Sequence, residues 1–130
     1  MKTFQFRPAR VLDWRELERN LAASRAQAAH AVSTRTRLEL STIDAALTRG
    51  AEGGSTGAAL SNWAAWRVTL LRHRQAAVQR VAAAETVWQQ QQAALLEASR
   101  RVKLLEKLRE TAHRRWQHDL ERETTAFAAE

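Results

Sequence analysis

The 130-residue chain has no cysteine, no tyrosine and a single proline, and its four glycines all lie between Gly50 and Gly57. Each scarcity removes a class. Without cysteine there is no disulfide framework, thiolate metal site or Cys nucleophile, a composition that suits a reducing compartment. Strand-rich folds need turn signals every ~8–12 residues. No such series exists outside the one glycine window, which argues against all-β and α/β folds. Bulky core material is also short, because 26 residues are alanine and the 45% hydrophobic fraction overstates it. The longest uncharged stretch, Gly53 to Trp66, is too short and too polar to span a bilayer. The opening Met-Lys-Thr-Phe-Gln-Phe-Arg lacks the apolar centre of a signal peptide. The length is that of one domain at most.

What the chain does have is charge and helical periodicity. Lys and Arg number 21 against 14 Asp and Glu, a net of +7. Such an excess suits an acidic partner, which could be nucleic acid, an anionic membrane face or an acidic protein surface. A solvated helical face richer in Arg than Glu produces the same total.

The chain divides into a short lead (1–7), a helix over about 8–49, a Gly-rich turn over about 50–57 and a second helix over about 58–127. Pro8 stands where a helix begins, since the first turn tolerates a missing N–H. The glycines have the freedom that a connection between helices requires. Ser55 and Ser61 are both candidate caps for the second helix.

Alternating steps of three and four from Leu60, through Trp63, Leu70, Ala77, Val81, Ala84, Trp88, Leu95, Ala98, Val102, Leu105 and Trp116 to Ala126, give a seam with 14 of 20 positions apolar. That is sustained well beyond the ~3–4 heptads that indicate a coiled coil. In the first helix a seam from Trp14 through Leu17, Leu21, Ala28, Ala31 and Leu38 to Ala45 has seven of ten positions apolar. Val32, Leu40, Ile43 and Leu47 lie on a neighbouring stripe, which reads as a stutter or a broadened seam. Two seams joined by a short break predict an all-α fold, an antiparallel two-helix coiled-coil hairpin in a single domain over residues 1–130.

At 1.5 Å per residue the helices are roughly 60 and 100 Å long. Folding back near Gly53 sets Arg10 opposite about Glu97 and leaves roughly the last thirty residues overhanging, with an apolar stripe that something must cover. A partner protein is the expected cover. A second copy of the chain, or the lead through Phe4 and Phe6, are the alternatives.

The glycine stretch lacks the Lys-Ser/Thr of a phosphate loop, since Ala58 and Ala59 follow Gly57. His113 and His118 are five apart and do not share a helical face, so His30, His73, His113 and His118 read as surface histidines and no metal or cofactor is expected. Two helices offer no pocket that excludes water, so the chain is not expected to be an enzyme. Arg67, Arg72, His73, Arg74 and Arg80 span a stretch with no acid. Arg100, Arg101, Lys103, Lys107, Arg109, Arg114 and Arg115 form a second basic cluster diluted by Glu106 and Glu110. Glu97 with Arg101 and Glu110 with Arg114 have the spacing of helix-stabilising pairs. A nucleic-acid helix wants a denser, nearly acid-free block, so an acidic protein channel suits the pattern better. Trp63, Trp66 and Leu70, just after the turn, read either as hairpin-tip core or as an aromatic hot spot.

The opening Phe4-Gln-Phe-Arg-Pro-Ala-Arg-Val-Leu-Asp-Trp-Arg-Glu16 resembles the start of the bacterial flagellar export protein family FliJ, with Trp14 in place of the usual Leu. Trp63, Trp66 and Leu70 are similar to that family's aromatic-x-x-aromatic-x-x-x-Leu pattern after the turn. Arg101-Val-Lys-Leu-Leu-Glu-Lys-Leu-Arg-Glu110 and the tail Arg122 to Glu130 resemble its later segments, without the usual tail Asp. The resemblance covers nearly the whole chain. It implies a non-enzymatic, cytoplasmic component of the flagellar type III export apparatus, peripheral at the inner membrane and serving motility and chemotaxis. It further implies a coiled coil that enters the hexameric export ATPase FliI, contacts the export gate FlhA and is linked to export chaperones. On that reading Arg100, Arg101, Lys103, Lys107, Arg109, Arg114, Arg115 and Trp116 meet the ATPase ring, and Trp63, Trp66 and Leu70 meet the gate. The stalk of a virulence-type secretion system and, less readily, a basic nucleic-acid-binding protein are the alternatives.

Overall fold

The computed structural model describes residues 3–50 and 57–130, and everything regular among them is helical. Helix α1 spans Ala9–Gly50 and helix α2 spans Gly57–Ala129. Before α1 the Ala9 amide donates to the Phe6 carbonyl at 3.0 Å, and the Leu12 amide donates to the Pro8 carbonyl at 2.9 Å. The proline thus precedes the first turn, where its lack of a donor is harmless. Ser61 lies inside α2 and does not cap it, while Ser55 and most of the Gly-rich turn lie outside the described residues.

Contacts group the chain into two units, one made of Ser24–Gln92 and the other of Met1–Ala23 with Ala93–Glu130. In the first, pairs between the helices run in opposite directions. His30 packs on Trp88 with ring centroids 4.8 Å apart. Arg80 lies 4.0 Å from Glu39, Arg74 lies 2.6 Å from Asp44, and Arg37 pairs with Glu85. All these ion pairs are partly exposed, so each is worth only about 0.2–1 kcal/mol. Their contribution is to register, as charged flanks of a coiled-coil seam. The core between them is small: Ala26, Ala29, Ser33 and Thr36 on α1 against Ala77 and Ala84 on α2. The Thr36 hydroxyl donates to the Ser33 carbonyl at 2.9 Å, so a polar side chain can face the seam without an unmet group.

In the second unit Leu12, Ala98 and Val102 form the buried core. Arg101 of α2 acts electrostatically on Glu18 of α1. The lead continues the pairing: the Phe4 ring meets His113 at 4.8 Å, edge-on, and Trp116 at 5.8 Å.

Two expectations need correction. The first is the phase of α1. Its covered positions include Leu12, Arg15, Arg19, Ala22, Ala26, Ala29, Ser33, Thr36, Leu40, Ile43, Leu47 and Gly50, an unbroken alternation of threes and fours, with Glu16, Glu18 and Asp44 to Ala46 partly covered beside it. The stripe expected to be the seam faces outward instead, with Trp14, Leu17, Leu21 and Leu38 all at least half exposed. Close approach of two backbones selects the small residues for the contact, so the bulkiest apolar stripe is not the buried one. The second is register. The expected fold-back sets His30 opposite Ala77, yet His30 packs on Trp88, about three turns further along. The lead therefore covers α2 as far as Trp116, and the uncovered end is much shorter than thirty residues. Residues 121–130 are all exposed. The α2 seam needs no such change: among its positions from Trp63 to Trp116, only Arg67 and Arg109 are fully exposed.

Candidate functional site

Consider first the aromatic group that follows the turn. Trp63 is half-buried and Trp66 is 44% exposed. Both rings press on Gly50: a Cβ built there would lie 2.5 Å from Trp66 Cζ3 and in outright collision with Trp63 Nε1. Glycine is what lets α1 end against two indoles. The Arg67 guanidinium sits 5.3 Å from the centre of the Trp63 ring, a cation–π arrangement. Trp63 Nε1 is buried with no acceptor among the described residues. An unmet indole donor costs on the order of 1–3 kcal/mol. Leu70 belongs to the seam and is partly covered. Of the three residues singled out here, Trp63 and Leu70 are largely packing and Trp66 presents the surface. Trp66 borders a shallow groove with Thr42, Ala46, Arg49 and Gly50.

The basic cluster lies on α2 of the other unit, all of it exposed. Arg101 lies 3.6 Å from Glu97, and Arg114 pairs with Glu110. Those are the two i,i+4 pairs expected from spacing. Arg100, Lys103, Lys107, Arg109 and Arg115 have no acidic partner among the described residues. Trp116 is half covered by Phe4 and is less available than its neighbours. His113, expected from its spacing to be a surface histidine, instead meets the Phe4 ring and lies 5.7 Å from Trp116. The signal is the aromatic lead, whose Phe4 finds its cover at the aromatic end of α2. Among the described residues no group of three or more His, Cys, Asp or Glu could hold a metal ion.

One carboxylate has a displaced pKa. The Arg15 guanidinium hydrogen-bonded to Glu18 at 2.8 Å holds that carboxyl below its usual range. Partial burial works in the opposite direction, and the charges of Arg15 and Arg101 with a hydrogen bond from Trp14 complete the balance. Among the described residues no helix is long and apolar enough to cross a membrane.

These features define a class: a coiled-coil protein that acts through residues displayed along its helices. A family model described as "Flagellar FliJ protein" matches residues 7–125, and the chain belongs to that family. It is thereby a component of the flagellar, type III-like protein export apparatus, a family whose members are non-catalytic and work with other export components. No curated protein and no solved structure matches the chain.

Proposed function

We propose that the chain is a coiled-coil stalk that engages the export ATPase FliI through its basic cluster and the export gate FlhA through the aromatic group after the turn. The supporting observation is the set of five bases on α2, Arg100, Lys103, Lys107, Arg109 and Arg115, that no acid of the chain neutralises among the described residues. A solvated helix gains most from bases balanced by acids three or four positions away. Bases left unbalanced along one segment are suited to an acidic channel, which would also steer association. Trp66 is the tip residue offered to the gate, with Trp63 and Leu70 holding it in place. Work at the gate would put the protein at the cytoplasmic face of the inner membrane, peripherally and through its partners, with export chaperones as further contacts. The family match favours a flagellar role over a virulence-type one.

The test is ATPase stimulation by the purified chain. Reversing Arg114 and Arg115 to glutamate is expected to weaken stimulation at least tenfold at low salt, with the difference from the native chain shrinking as salt rises. Unchanged stimulation removes the role of this segment. Trp66→Ala is expected to lower affinity for the gate protein while helicity by circular dichroism stays the same. Binding that survives assigns Trp66 to packing alone.

A further inference from the structure

The corrected phase of α1 leaves one face of the unit formed by Met1–Ala23 and Ala93–Glu130 exposed among the described residues. Each helix can be lettered abcdefg with its covered seam at a and d. Val11 and Glu18 of α1 and Arg101 and Leu108 of α2 then fall at g, and Trp14, Leu21 and Leu104 fall at c. In an antiparallel pair the g positions of both helices flank the same side of the seam, and the charge of Arg101 reaches Glu18 across it. Val11, Trp14, Leu21, Leu104 and Leu108 therefore share one face, and they are 48%, 58%, 50%, 62% and 52% exposed. Phe4 does not cover it: its ring lies beside Glu106, Arg109, Glu110 and His113, which lie on or beyond the seam from that face.

A solvated helix has no need of a second apolar stripe at three–four spacing, which is the pattern that receives another helix. The charges around the stripe say what kind. Its two acids are already engaged, Glu18 with Arg15 at 2.8 Å and Glu97 with Arg101 at 3.6 Å. Arg10, Arg100, Lys107 and Arg115, which border it, have no acidic partner among the described residues. A second copy of the chain would bring the same bases and a further +7 to the contact. An acidic helix would meet them with opposite charge.

We infer that this face is the docking site for an acidic amphipathic helix of a partner protein. That helix lies along α1 and α2 as a third strand, its apolar residues at three–four spacing on Trp14 and Leu104 and its Asp or Glu residues beside Arg100, Lys107 and Arg115. The face shares three bases with the proposed ring contact, but it is argued from the apolar stripe. The experiment below contains no ATPase, so either idea can fail alone.

The probe is a designed peptide of about 21 residues with leucine at three–four spacing and glutamate alongside, titrated into the full chain at physiological salt and followed by calorimetry. Its counterpart carries lysine in place of glutamate. Saturable one-to-one binding of the acidic peptide is expected, with the lysine peptide at least tenfold weaker. Trp14→Glu and Leu104→Glu should each weaken the acidic peptide at least tenfold while helicity is unchanged. Equal binding of both peptides, binding that survives both substitutions, or no binding at millimolar peptide would each overturn the assignment. So would a stable dimer at physiological salt that Trp14→Glu dissociates, since the face would then belong to a second copy.

Discussion

At the scale of single residues, Gly50 carries more than its size suggests. It is helical, and its missing side chain makes room for two indoles. Gly→Ala inside a helix ordinarily stabilises by about 0.5–1 kcal/mol through the unfolded chain. Here the added methyl meets Trp63 and Trp66, neither of which is the flexible end of a long side chain. Overpacking costs typically about 1–3 kcal/mol and wins. Gly50→Ala is therefore expected to lower the melting temperature and alter tryptophan fluorescence; a raised melting temperature would show that the indoles move aside freely. Glu18 gives a second residue-scale prediction. Its folded-state pKa is depressed, so the stability it contributes is present above the unfolded carboxyl pKa and is lost as pH falls through the lower folded value. Glu18→Gln should reduce stability at neutral pH and flatten its decline on acidification. An acid limb identical to that of the native chain in thermal melts would contradict this.

At the scale of elements, the two helices differ in how plainly they could be read. In α2 the expected three–four seam, from Trp63 through Val102 to Trp116, is also the covered face, although Leu71, Val87, Leu96, Leu104 and Leu108 stand exposed outside it, so periodicity locates the contact. In α1 the two do not coincide. Ala26, Ala29, Ser33 and Thr36 face α2, while Trp14, Leu17, Leu21 and Leu38 point away. A rule that equates bulk with burial then selects the opposite face. The clue was Leu40, Ile43 and Leu47, which continue backwards in threes and fours through Thr36, Ser33 and Ala29. The phase has a direct consequence for mutation. Leu12 is 3% exposed and Leu38 is 66% exposed. Leu12→Ala should cost about 2–5 kcal/mol, as for other buried leucines, whereas Leu38→Ser should stay within about 0.5 kcal/mol in the isolated chain. Denaturant midpoints for the two variants decide the phase, and similar losses would return Leu38 to the core.

At the scale of the whole molecule, charge and apolar surface oppose one another. The basic cluster was legible from sequence because charge is a property of composition. The apolar face beside it was hidden, because it depends on which side of α1 is covered. Each copy carries +7, and like charges keep copies apart while their fields extend. The Debye length is about 10 Å at 0.1 M salt and about 3 Å at 1 M. Screening removes the repulsion but leaves the apolar contribution of Trp14, Leu104 and Leu108 intact, and that contribution is roughly 25 cal/mol for each Å² covered. Sedimentation at low salt should therefore give a mass near the 14.7 kDa of one chain, with a higher average mass at 1 M salt. Trp14→Glu should abolish that rise, because it places a charge in the centre of the apolar stripe. A mass that stays constant at every salt concentration would mean the stripe is too small to associate by itself. A rise that persists in Trp14→Glu would locate the association on another surface.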